Sequence, residues 1–131
     1  MKKSIFLIIF LISGFFFLGT NDVTAQWCYK VQYEDELCDC GNISSKTVEY
    51  CIYDIVIQDY IVACTTISLP SGNPFTLSGD EDIIYDAQDR YIISARVSYY
   101  DTGLCCTGWA AETIDGDELV DCDITLQVDM E

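Results

Sequence analysis

The residues that could do chemistry here are eight cysteines (Cys28, Cys38, Cys40, Cys51, Cys64, Cys105, Cys106 and Cys122) and three groups of carboxylates. Thiols can pair as disulfides, bind a soft metal as thiolates, or exchange electrons. Carboxylates at close spacing can ligate calcium, or work in pairs as general acid and base. The chain has no histidine. That absence excludes Ser-His-Asp and Cys-His nucleophiles, imidazole zinc sites and histidine-ligated haem.

The compartment decides what the cysteines do. Lys2-Lys3 precede an apolar run from Ile5 to Leu18 broken only at Ser13 and Gly14, and polar residues then lead to the small-residue end Val23-Thr24-Ala25. The run is too short for a membrane span and is followed by a cleavage pattern, so residues 1–25 read as a secretory signal peptide. Cleavage after Ala25 leaves 26–131 as a single secreted domain. All eight cysteines lie in it, and an even count in a short exported chain predicts a disulfide framework. Eight cysteines allow 105 pairings, and excluding the strained bonds Cys38–Cys40 and Cys105–Cys106 leaves roughly 78. The sequence does not choose among them. The alternative is a thiolate metal site in which Cys38-Asp39-Cys40 and Cys105-Cys106 supply four sulfurs; an oxidising compartment disfavours it. Neither segment has the C-x-x-C helix-start context of a redox pair. Gln26-Trp27 before Cys28 is not a lipoprotein cleavage sequence, so the mature chain is expected without a membrane anchor.

The mature chain carries 21 acidic side chains against Lys30, Lys46, Arg90 and Arg96, a net charge of −17. Such a balance excludes nucleic-acid binding and disfavours an anionic membrane surface. The carboxylates fall at Glu34-Asp35-Glu36, at Asp80-Glu81-Asp82 with Asp86 and Asp89, and between Asp115 and Asp123. Asp80, Asp82, Asp115 and Asp117 are the candidate calcium ligands. Asp115-Gly116-Asp117-Glu118 is not an EF-hand, because its glycine comes too early and no bidentate glutamate closes a twelve-residue loop. The competing expectation is a solvated acidic surface that keeps an exported protein soluble. Carboxylate pairs are too numerous here for any one of them to signal a glycosidase. No motif implies a cofactor. Asn42-Ile43-Ser44 is an N-glycosylation sequon in a Gly- and Cys-flanked loop, so Asn42 is the candidate glycan site.

The elements that must position these groups follow a two-residue period. Trp27, Tyr29, Val31 and Tyr33 alternate with polar positions, as do Val48, Tyr50 and Ile52. Ile61 to Leu69 is rich in β-branched residues and ends at the turn Pro70-Ser71-Gly72-Asn73-Pro74. Phe75 and Leu77 form a short strand. Tyr91, Ile93, Ala95, Val97 and Tyr99 share one face of a strand from Arg90 to Tyr100. Asp101-Thr102-Gly103 suits a hairpin loop with a left-handed glycine, leading into Leu104 to Trp109. Cys122, Ile124, Leu126 and Val128 alternate last. Tyr99-Tyr100 must place one ring on each face, and an exposed aromatic could bind carbohydrate or protein. Six to seven short strands with little helix predict an all-β fold, a small antiparallel β-sandwich stapled by disulfides.

Several strand segments, Val48-Glu-Tyr50-Cys-Ile52-Tyr-Asp54, Leu69-Pro-Ser-Gly-Asn-Pro-Phe75-Thr-Leu77, Arg90-Tyr91-Ile-Ile93-Ser-Ala95-Arg96-Val97, Gly103-Leu104 and Ile124-Thr-Leu126-Gln-Val128, form a combined pattern. Over residues 48–128 it resembles the type III secretion lipoprotein-chaperone (pilotin-like) β-sandwiches, without their lipid-anchor cysteine. The resemblance implies a β-sandwich and a non-enzymatic role. The expected function is therefore a secreted binding or chaperone-like module acting through protein or extracellular-matrix contacts. The alternative is an acidic calcium- or mineral-binding matrix protein.

Overall fold

The structure, a computed structural model, describes residues 24–131. Apart from Thr24 and Ala25, the signal segment lies outside the described residues. Seven strands follow in order: β1 (Thr24–Glu34), β2 (Ser45–Asp54), β3 (Asp59–Ser68), β4 (Phe75–Ile84), β5 (Asp89–Tyr100), β6 (Leu104–Asp115) and β7 (Thr125–Asp129). A single-turn-and-a-half helix, α1 (Gly116–Asp121), links β6 to β7. They build a three-stranded sheet, β4-β1-β7, facing a four-stranded sheet, β3-β2-β5-β6. The fold is the small, disulfide-stapled all-β architecture the alternation predicts.

The inward positions are those the period assigns. Trp27, Tyr29 and Val31 meet Tyr91, Ile93, Ala95, Val97 and Tyr99 across the core, all at 2% exposure or less. Burying each large side chain contributes roughly 1.5–3 kcal/mol. Three of the tyrosines also span the core with their hydroxyls. Tyr29 donates to the Ser94 carbonyl (3.0 Å), Tyr91 accepts from the Ile84 amide (2.9 Å), and Tyr99 donates to Asp35 Oδ2 (2.9 Å). Each bond joins one sheet, or the loop leaving it, to the other, and each satisfies a polar group that burial would otherwise penalise.

Four features depart from the expectations. β7 runs parallel to β1, with Lys30 opposite Thr125 through Glu34 opposite Asp129, so the sandwich is not wholly antiparallel. The reason is α1, which carries the chain from the end of β6 across to the other sheet. Asp115 caps it, its Oδ1 accepting from Glu118 N (2.8 Å), and Cys122 ends it in the left-handed region at φ 59°. That stop is why β7 begins at Thr125 rather than Cys122. Second, Phe75 and Leu77 open a ten-residue strand that runs on through Asp80-Glu81-Asp82, paired to β1 across a register shift between Ala25 and Trp27. Third, β6 continues six residues past Trp109 to Asp115. Fourth, the left-handed glycine is Gly72 (φ 97°), not Gly103. The β5–β6 turn is instead closed by Asp101 N donating to the Gly103 carbonyl (3.0 Å), and Ser44 Oγ donates to the Tyr100 and Asp101 carbonyls from outside.

The two sheets are joined along one edge. Beyond β7, Glu131 and Thr107 of β6 exchange backbone hydrogen bonds of 3.0 and 3.1 Å. Gly108 makes this seam possible: a Cβ there would collide with the Asp129 carbonyl and the Val128 side chain.

All eight cysteines are paired. Cys28–Cys122 ties β1 to the C-terminal cap of α1, and Cys51–Cys64 bridges the neighbouring strands β2 and β3. Cys38–Cys106 and Cys40–Cys105 run side by side from the β1–β2 loop to the start of β6. The four sulfurs that could have held a metal do converge, as two disulfides.

Candidate functional site

The outer face of the four-stranded sheet carries the most distinctive surface, and the register shows how it is built. Tyr60, Tyr53, Ile92 and Thr113 form one row across β3, β2, β5 and β6. Two residues along, the Cys51–Cys64 disulfide, Ser94 and Ala111 form a row of small groups. Two further along come Thr66, Glu49, Arg96 and Trp109. Large side chains thus flank a low middle row. The result is a shallow transverse groove of about 280 Å³ with Tyr53, Tyr60 and Ile92 on one side, Trp109 on the other, and Ser94, Ala111 and Cys51 beneath.

Local structure fixes the walls. Tyr53 and Tyr60 sit edge to face, with ring centroids 5.2 Å apart at 73°. Tyr60 reaches that position because β3 contains two bulges: three β3 steps, Thr65 to Val62, match two on β2, and two, Val62 to Tyr60, match one. Trp109 is 62% exposed and Tyr60 52% exposed. Arg96 Nη1 lies 4.0 Å from Glu49 Oε1 at the groove's edge, both side chains largely in solvent.

Beyond Tyr53 and Tyr60 the chain turns through the β2–β3 hairpin tip, where Ile55, Val56 and Ile57 are exposed in succession. Three consecutive exposed aliphatic residues are anomalous on a protein surface, and an ion pair between buried Asp54 and half-buried Arg90 holds them in place. Asp54, 3% exposed, accepts from the Val56 and Ile57 amides through Oδ1 (2.9 and 3.4 Å). Its Oδ2 receives Arg90 Nε and Nη2, both at 3.0 Å. Gln58 completes the turn in the left-handed region at φ 55°. The tip is a shaped protrusion.

The residues singled out from sequence lie elsewhere. Asp80 and Asp82 are exposed on β4, with Asp80 accepting from Gln26 Nε2 (3.2 Å). Asp115 is the helix cap described above. Asp117 has one oxygen shielded from solvent without a partner, and shielding, then Asp115, Asp121 and Asp86, holds its carboxyl above the ordinary range. Among the described residues, no three acidic or cysteine side chains form a group placed to hold a metal ion. Asn42 is exposed in the β1–β2 loop, its amide 3.4 Å from Asp101 Oδ2. Of Tyr99 and Tyr100, the first is buried and the second half-buried, so the exposed aromatics among the described residues are Trp109, Tyr60 and Tyr85 instead.

Sequence reasoning did not reach the groove, because its walls come from four strands and meet only through the register. One signal was available for the tip: Ile55-Val56-Ile57 sits between two aspartates, where turn residues belong. Comparison with protein-family models, curated proteins and solved structures finds no match for the chain. Four disulfides fit an oxidising environment, and among the described residues no helix is long and apolar enough to cross a membrane.

Proposed function

We propose that this chain is exported through its residue 1–25 signal, with Asn42 as a glycan site, and acts outside the cell as a non-enzymatic binding module. It engages a protein or matrix partner through the groove and the adjoining tip. One observation carries this reading. On a mature chain of net charge −17, exposed Trp109 and Tyr60 in the groove and exposed Ile55, Val56 and Ile57 at the tip gather on one hairpin-and-sheet surface, with Asp59 and the Glu49–Arg96 pair as its charges. Exposed tryptophan and tyrosine beside aliphatic residues is the composition of interface hot spots. The preformed tip lowers the ordering cost of binding. The chaperone-like aspect rests on the sequence likeness over residues 48–128.

The test is capture from the native extracellular fluid by the folded, oxidised protein. Wild type should retain one partner at stoichiometric yield, and Trp109→Ala and Val56→Asp should each lose it. Retention of the same partner by both variants would refute the assignment. The acidic calcium- or mineral-binding reading draws support from the shielded Asp117 oxygen beside Asp115, and a calcium titration described below addresses it.

A further inference from the structure

We infer that the groove on the outer face of the β3-β2-β5-β6 sheet binds a linear, uncharged polysaccharide. This rests on the reading of that face as a binding surface and names the ligand class. A pyranose ring is flat, with C–H groups on its faces and hydroxyls around its rim. It therefore fits a site whose walls are aromatic and whose polar groups stand at the edges.

The groove meets both requirements. Trp109 and Tyr60, on opposite sides, are exposed enough to stack on a ligand, and Tyr53 braces Tyr60 at a near-right angle. Tyr60 stands on β3 in one wall and Trp109 on β6 in the other, so the floor of disulfide, Ser94 and Ala111 leaves room for a chain of sugars to run between them. Arg96 and Glu49, 4.0 Å apart at the edge, offer a fork of donors beside a pair of acceptors, the arrangement that grips adjacent hydroxyls. The groove crosses four strands, a distance of about 14 Å at the usual strand spacing. Its low row runs from β3 to β6, so the site suits the interior of a chain of sugars rather than a single terminal unit.

Charge selects among ligands. A polyanion would be repelled by the mature chain's net charge of −17, whereas cations are drawn to the carboxylate clusters on β4 and around α1. An extended peptide gains main-chain bonds at a sheet edge, and a groove running across the strands offers it none.

The test uses the oxidised protein and four neutral probes: cellohexaose, xylohexaose, mannohexaose and chitohexaose. Trp27 is buried at 2% exposure, so ligand-dependent changes in tryptophan emission and in acrylamide quenching report on Trp109. At least one probe should titrate saturably at micromolar to millimolar concentration. Trp109→Ala, read by calorimetry, should weaken it at least tenfold. Ala111→Phe, which fills the floor from an exposed position, should do the same with an unchanged far-ultraviolet spectrum. Binding that survives both substitutions, or no saturable response to any probe, overturns the glycan assignment. If no probe binds, Trp109-dependent capture of a partner from the extracellular fluid would leave the binding surface standing with a protein ligand. Loss of that dependence as well would remove both.

Discussion

The two side-by-side disulfides should behave as one staple. Cys38–Cys106 and Cys40–Cys105 close loops of 68 and 65 residues, and in the chain-entropy model either alone would be worth about 4.4 kcal/mol. With its neighbour intact, however, Cys40–Cys105 closes only the few residues between the bridges, and its loss should cost about 1.5 kcal/mol. The same reasoning applies to Cys28–Cys122, with a sequence separation of 94. With Cys38–Cys106 in place its effective loop is roughly 26 residues, worth about 3.5 kcal/mol. Removing both side-by-side bridges should cost about 5 kcal/mol, well above twice the single loss. Paired Cys→Ser variants unfolded in urea would show this ordering. The m-values should also rise as the unfolded chain expands. Equal losses for Cys40–Cys105 and Cys28–Cys122 would refute the shared-loop account.

Four further outcomes follow. Asp54→Ala should cost about 2–3 kcal/mol because it leaves the half-buried Arg90 guanidinium without its partner and the Val56 and Ile57 amides without their acceptor, with faster amide exchange at Val56 and Ile57; Glu49→Ala, at an exposed pair, should cost under about 0.5 kcal/mol. Burial raises the hydroxyl pKa of Tyr29 and of Tyr99 well above 10, so these groups keep their protons in the fold while the unfolded chain releases them. Stability should therefore be intact below pH 10 and fall above it, by up to about 1.4 kcal/mol per pH unit for each tyrosine; Tyr29→Phe should shallow that slope in urea titrations, and an unchanged slope would contradict it. The Asp117 carboxyl is raised by shielding, then by Asp115, Asp121 and Asp86, so its ionised form opposes folding above the usual carboxylate range and Asp117→Asn should raise the melting temperature at neutral pH. Sodium and calcium chloride at matched ionic strength should stabilise wild type about equally by screening; a saturable calcium shift abolished by Asp117→Asn would show a ligand site instead.

The core was legible because a strand buried on one face writes its burial at every second residue. Tyr91 to Tyr99 and Trp27 to Val31 needed no tertiary information. β4 was harder to read, because Asp80-Glu81-Asp82 looks like a loop and stays in the strand only because the pairs Trp27–Gly79 and Ala25–Ile83 hold β4 to β1 on either side of it. The parallel β7 was hidden for a similar reason. Its direction depends on α1, whose cap Asp115 and stop at Cys122 read as part of an acidic run. The disulfide count was plain, whereas the pairing depends on which loops meet, and only the hairpin that brings Cys105-Cys106 beside Cys38 and Cys40 decides it. The groove belongs to the same class of information: Trp109 and Tyr60 are 49 positions apart in the chain, and their facing across Ser94 follows from register alone.

The bulges of β3 bear on how this protein stays dispersed. From Tyr60 to Ser68 that edge strand carries no charge and several β-branched residues, the composition that recruits a neighbouring molecule's strand. Its two extra residues break the regular presentation of amides and carbonyls, and the Cys51–Cys64 bond, with Cα atoms 4.4 Å apart, pins the strand where the first bulge begins. Reduction of that one bond would let β3 straighten into a free template. A Cys51→Ser/Cys64→Ser variant that keeps the other three bridges should therefore seed fibres where the wild type does not.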